Sequence, residues 1–287
     1  MRGLLTKQII FGLCIFLLLA ASALAVTVNY ETTTVSRIVG DDITSMQDQL
    51  KKEDFTLEAA GLYSDGYAGD SYTYSIISEQ FTDAARNPIL RSGLSIWDFS
   101  LINSRLQNGK NNLIVINPHR PDQGTPDYTS RGSIGQMVMS DKSNLFVLDS
   151  KYAGLHIPKT TTFAGKISSK AAYVAPMSYT SELFVKSFIC SMRKDKEIGD
   201  IFLNARNNYY TKTTSSSEFL GLGLMSYSLY GKPTLKASLL NDNYDSWKDL
   251  CGDYGVNFSQ QSVSSEFSIS STSGTYTKTR EINKDEQ

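Results

Sequence analysis

Three short, uninterrupted apolar runs, NLIVIN (112–117), LFVL (145–148) and AAYVA (171–175), constrain this chain most. None alternates polar with apolar residues, so each reads as a strand covered on both faces, the pattern of a parallel sheet. Segments with helical spacing separate or follow them. GLSIWDFSLINSRLQNG places Leu94, Trp97, Leu101 and Leu106 on one face and ends in Asn108-Gly109, a good helix stop. Residues 181–193 form an apolar helix. EIGDIFLNARNNYY forms another, with Ile198, Ile201, Phe202, Ala205 and Tyr209 on one side. Buried strands alternating with helices predict an α/β domain with a mostly parallel sheet flanked by helices on both faces, over roughly residues 40–240.

Upstream, Ile43, Met46 and Leu50 share one face of a short helix capped by Asp42. FTLEAAGLY (55–63) predicts one strand, and Asp70 caps a helix carrying Tyr74, Ile77 and Phe81. YSLYGKPTLKASLL, with its Gly-Lys-Pro turn, predicts a closing strand pair. After Trp247 the chain becomes Ser/Thr-rich, and residues 241–287 read as a β-type or disordered tail. Asn257-Phe258-Ser259 is a glycosylation acceptor sequence.

Residues 1–25 read as a signal peptide: Arg2 and Lys7 precede the apolar run IIFGLCIFLLLAA, and Ala23-Leu24-Ala25 offers small residues for cleavage after Ala25. An uncleaved anchor is the alternative, and the only route by which the protein would meet a membrane. Either way the chain is expected outside the cytoplasm, secreted or at the cell surface. Losing Arg2 and Lys7 takes the formal charge from −1 to −3, and no basic stripe exists to neutralise phosphates, so nucleic acid is excluded as a partner. The two cysteines beyond the signal peptide, Cys190 and Cys251, can form one disulfide. The place of Cys190 in the apolar helix SELFVKSFICSM favours a buried free thiol.

Ligands of open α/β sheets gather beyond the carboxyl ends of the strands. NLIVIN runs into Pro118-His119-Arg120 and NLFVL into Asp149-Ser150-Lys151. His119 suits a general base, and His156 lies a few residues past the second strand end. Both also read as ordinary loop histidines, and Ser150 and Lys151 as solvated loop residues.

Residues 101–240 resemble the gingipain family of secreted cysteine peptidases, which share the caspase-like α/β fold. The resemblance rests on LINSRLQNGK before the strand NLIVI and a histidine, on LFVL leading to SKYAG, on AAYVAPMSYT, SELFVKSF and KEIGDIFLNARNNYY, and on LYGKPTLK, where the family often reads Leu-x-Gly-Asp-Pro-x-Leu. It implies that His119 stands at the catalytic histidine and Lys151, or Ser150 after a slip of one, at the nucleophilic cysteine. Gly154 then stands at the family's glycine. The Gly-His-Gly loop has become Pro118-His119-Arg120, and the Asp of Gly-Asp-Pro has become Lys232. Residues 26–100 supply the N-terminal part of the domain. A lysine ammonium cannot attack a carbonyl, and serine is a poorer nucleophile than cysteine thiolate. The expectation is a catalytically degenerate pseudopeptidase that binds a peptide or protein. Two alternatives stay open: an active endopeptidase, cysteine-type or Ser150-dependent, and a structural or adhesive cell-surface domain.

Metal and nucleotide motifs are absent, so no cofactor is expected. Calcium is the one ion that the acidic residues Asp41, Asp42, Asp65, Asp70, Asp122 and Asp127 suit.

Overall fold

The computed structural model describes residues 33–39, 42–64, 70–88, 99–117, 138–139, 141–149, 154, 171–176, 182–213, 227–252, 264–271 and 274–280. All of them belong to one compact unit, Glu31–Gln287.

The strands are β1 (Thr33–Ile38), β2 (Phe55–Leu57), β3 (Ala59–Ser64), β4 (Ala84–Pro88), β5 (Asn112–Asn117), β6 (Asn144–Leu148), β7 (Ala171–Pro176), β8 (Tyr227–Tyr230), β9 (Ala237–Leu239), β10 (Ser264–Ser271) and β11 (Gly274–Arg280). The helices are α1 (Ile43–Leu50), α2 (Asp70–Gln80), α3 (Phe99–Leu106), α4 (Glu182–Ser191), α5 (Ile198–Thr213) and the single turn α6 (Lys248–Cys251). The main sheet has the order β11-β10-β1-β8-β7-β6-β5-β3-β4. Strands β4, β3, β5, β6 and β7 run parallel to one another, and β8 runs antiparallel to β7. The chain is therefore α/β with a mostly parallel central sheet, as the continuous apolar runs predict.

Every side chain of β3, β5 and β6 is buried, because helices cover both faces. On one face Leu62, Val115, Val147, Val174 and Leu229 pack against Ile76 and Ile77 of α2, Phe184 and Phe188 of α4, and Ile201, Phe202 and Tyr209 of α5. On the other, Ile114, Ile116, Phe146 and Leu148 pack against Ile102 and Leu106 of α3. Burying each such aliphatic or aromatic side chain stabilises the fold by about 1.5–3 kcal/mol.

The amino-terminal end of the sheet carries a small amide network. The Asn112 Nδ2 group donates to Asn144 Oδ1 (3.1 Å) and to the Lys110 carbonyl (2.7 Å), and Asn144 Nδ2 donates to the Lys142 carbonyl (2.9 Å). Asn112 and Asn144 are opposite one another in the parallel ladder, so the network fixes the register of β5 against β6. Nearby, Asp83 pairs with Arg105 of α3 and with Lys110, each at 2.9 Å. The hydrogen bond from Arg105, then that from Lys110, holds the Asp83 carboxyl below the usual carboxylate range.

Three details differ from the sequence reading. FTLEAAGLY is two strands, not one. At Glu58 the chain changes partners, with Glu58 N donating to Asn111 O (2.9 Å), and β2 then pairs with β9 in a separate two-stranded sheet. The closing segment is likewise no hairpin: β8 joins β7, and after Gly231 (φ +106°) β9 joins β2. Cys190 is not a free thiol but is bonded to Cys251, with Cα atoms 5.8 Å apart. The apolar helix that suggested a buried thiol also packs against α6, which brings the second sulfur to it.

Serine at Cys190 or Cys251 opens a crosslink spanning 61 residues and is expected to lower stability by about 4 kcal/mol in urea titrations. Wild-type protein treated with reductant under denaturing conditions and refolded in it should match the variant. The Asp83 carboxyl has a depressed folded-state pKa, so its contribution is present above the unfolded value and lost as pH falls through the folded one. Acid titration of stability below about pH 4 should be shallower in Asp83→Asn than in wild type.

Candidate functional site

Because β5 and β6 run in step from Asn112 and Asn144, they end in step: Ile116 lies opposite Leu148, and Asp149 N donates to the Ile116 carbonyl (2.8 Å). Asn117 and Asp149 therefore come level at the carboxyl edge. His119 follows two residues beyond Asn117, and Ser150 and Lys151 directly follow Asp149. His119, Ser150, Lys151 and His156 themselves lie outside the described residues, as do Asp41, Asp65, Asp122, Asp127, the glycosylation sequence and the signal peptide.

The last residues of the strands form a polar row. Ser64 lies opposite Asn117, Asn117 is level with Asp149, and Pro176 of the intervening β7 lies opposite Tyr227. Ser64, Asn117, Asp149 and Tyr227 are all buried, on the face covered by α2, α4 and α5. Strand β8 runs antiparallel to β7, so its first residue, not its last, reaches this edge. From there the Tyr227 hydroxyl donates to the Asp149 carboxylate across the width of β7. A hydroxyl donating to a carboxyl oxygen away from water is a bond that solvent does not compete for. The ring of Phe184 stacks on Tyr227 at 4.0 Å and fixes its direction.

Gly154 sits five residues further on. Its N–H donates to the Pro176 carbonyl at the end of β7 (2.9 Å), and its carbonyl accepts from the Tyr230 hydroxyl (2.6 Å). A Cβ at Gly154 would lie 2.7 Å from the Tyr230 hydroxyl, 3.1 Å from the Pro176 carbonyl oxygen and 3.2 Å from that of Ala175. Only glycine allows so close a backbone approach. Tyr230 points to the opposite face of the sheet from Tyr227, where it stacks on Tyr173 at 4.3 Å with rings nearly parallel. Burial pushes the Tyr230 phenol up to about 12, so it stays a proton donor at any physiological pH. The same β8 strand thus holds Asp149 and Gly154, the two ends of the segment that contains Ser150 and Lys151.

Asp42, one of the carboxylates suited to calcium, is engaged otherwise: it caps α1 by accepting from Ser45 N (2.7 Å). Among the described residues no three His, Cys, Asp or Glu side chains gather as a metal site, and no helix is long and apolar enough to cross a membrane.

Comparison with protein-family models, curated proteins and solved structures returned no match.

The sequence reading gave no role to Asp149, Asn117, Ser64, Tyr227 or Tyr230. A signal existed: NLIVIN and NLFVLD are equally long, start with Asn and place a polar residue five positions on. Parallel strands of that pattern put both polar ends on one face. Gly154→Ala forces a methyl group against Tyr230 and two carbonyls, and is expected to cost about 1–3 kcal/mol in thermal denaturation; an unchanged midpoint would show that Gly154 is not held as described.

Proposed function

We propose that the chain is an exported, gingipain-like peptidase-fold protein of caspase-like architecture, catalytically degenerate, that binds a peptide or protein at the carboxyl edge of its sheet. One observation carries this reading: the strands leading to His119 and to Ser150-Lys151 are adjacent, parallel and level at their ends. A histidine and a loop from neighbouring strand ends are what the resemblance implies.

The cysteines support the degenerate side of the reading. A cysteine peptidase needs a thiolate beside an imidazole. Cys190 and Cys251 are fully buried and bonded to each other, and a disulfide sulfur is no such nucleophile. The third cysteine, Cys14, belongs to the N-terminal apolar run. The same bond supports export, since structural disulfides persist in oxidising compartments. The buried polar row at the edge and the double attachment of the Asp149–Gly154 segment suit a cleft whose shape survives without its chemistry.

Incubating the mature protein with fluorogenic Arg and Lys peptides, with and without a thiol-alkylating agent, tests the reading. No turnover is expected. Fluorescein-labelled versions of the same peptides should bind, as followed by anisotropy, and His119→Ala should weaken binding at least tenfold. Alkylation-sensitive turnover would establish a cysteine peptidase. Turnover lost in Ser150→Ala would establish a serine-dependent one. Neither turnover nor binding would leave a structural or adhesive domain.

A further inference from the structure

We propose that Asn108 is a modification site: its side-chain amide deamidates spontaneously through attack by the backbone nitrogen of Gly109, which turns one amide of the register network into a carboxylate. The inference does not depend on the peptide-binding reading.

Asn108-Gly109 is the only Asn-Gly pair in the sequence. It closes α3: Asn108 N donates to the Arg105 carbonyl (3.3 Å), and Gly109 takes φ +76°. Both residues are exposed. A Cβ at Gly109 would meet no heavy atom within 4 Å, so the turn is uncrowded. Lys110 N donates to Asn108 Oδ1 (2.9 Å), which folds the side chain back along its own backbone. That bond also draws electron density from the amide carbon that Gly109 N would attack. Among the described residues Gly109 N–H donates to no acceptor, so the nucleophile has no hydrogen bond to break first.

The chemistry needs only water. Gly109 N bonds to Asn108 Cγ and gives up its proton, the Cγ–Nδ2 bond breaks, and the side-chain nitrogen leaves as ammonia. Nucleophile and carbonyl belong to adjacent residues, so closure of the cyclic imide is intramolecular. Glycine, lacking a Cβ, obstructs it least. Water then opens the imide. Cutting the new N–Cγ bond leaves aspartate; cutting the main-chain bond between Asn108 C and Gly109 N leaves isoaspartate. The neighbouring asparagines are poorly placed for this. Asn112 and Asn144 are buried in paired strands, each followed by leucine, and Asn117 precedes Pro118, which has no N–H to lose.

The consequence falls on the sheet. Asn108 Nδ2 donates to Asn112 Oδ1 (3.0 Å), and Asn112 Nδ2 donates back to Asn108 Oδ1 (3.3 Å). A carboxylate at position 108 still accepts but no longer donates, and it sets negative charge against Asn112 Oδ1. Asn112 is the residue that bonds Asn144 and aligns β5 with β6. Deamidation therefore loosens the register network as the molecule ages.

The test ages the full mature chain in warm, mildly alkaline buffer and maps it by mass spectrometry. Trypsin cuts after Arg105 and Lys110, so the peptide Leu106–Lys110 holds Asn108 and no other asparagine. That peptide should gain the mass of an amide-to-acid change about tenfold faster than the peptide Asn111–Arg120, because only its asparagine precedes glycine. Ammonia should appear in step, and the rate should rise with pH because Gly109 N must lose its proton. The aged, more acidic fraction, separated by ion exchange, should unfold at a lower temperature than the unaged protein, and fresh Asn108→Asp should match it. Asn108→Gln, whose ring closure is six-membered and slower, should keep its mass and its midpoint. A Leu106–Lys110 peptide that keeps its mass while Asn111–Arg120 changes would overturn the site. A mass gain with no change of midpoint would overturn the link to the register network. Should either variant fail to fold, the two fractions of aged wild-type protein decide both points by themselves.

Discussion

The register between β5 and β6 is the constraint on which the candidate site depends. Parallel strands carry no turn between them to set their alignment, so side chains must do so. Here the work falls to Asn112 and Asn144, whose amides bond to each other and to the backbone just ahead of each strand. A slip of one residue would turn every apolar side chain of β6 to the wrong face. It would also lift Asp149 out of level with Asn117. Buried amides left without partners cost about 1–3 kcal/mol each, which penalises that slip from the polar side as the core does from the apolar side. Alignment fixed at the amino end is thus delivered, five residues later, to the carboxyl rim of the sheet.

At the rim the dominant element is β8. It is the one strand of this region that runs against its neighbour β7, so both of its tyrosines can address the far ends of parallel strands. Pro176 between them contributes no backbone N–H, and the phenol of Tyr227 passes over it to Asp149. Gly154, lacking a side chain, lets the returning chain lie against Tyr230 and the carbonyls of β7. Polar and apolar contacts cooperate here: the hydroxyls choose the partner, and the stacked rings of Phe184 and Tyr173 limit where the hydroxyls can go.

Much of the fold was legible because burial on both faces leaves a plain mark. NLIVIN, LFVL and AAYVA became β5, β6 and β7, and the helical faces of 182–213 became the cover of one side of the sheet. Partner choice was less legible. Nothing local in FTLEAAGLY tells that Glu58 divides it between two sheets, and a Gly-Lys-Pro turn reads as a hairpin whether or not its strands pair. The disulfide escaped for the same reason: an apolar setting suits a thiol and a half-cystine equally, and only the packing of α6 against α4 decides. Within the site, the sequence pointed to the ends of β5 and β6, and the structure sets those two ends level. The tyrosines that organise it lie some eighty residues downstream of Asp149 and Gly154, a distance no local pattern bridges.

That separation along the chain has a consequence for how the molecule comes into being. The polypeptide leaves the ribosome from its amino end. Strands β3, β5 and β6 emerge well before β8, which follows only after α4 and α5. Until then the nascent rim lacks its fastenings, with a carboxylate and several backbone groups open to solvent. The finished carboxyl edge of the sheet is therefore a late product of biogenesis, completed only when the last third of the chain has been delivered.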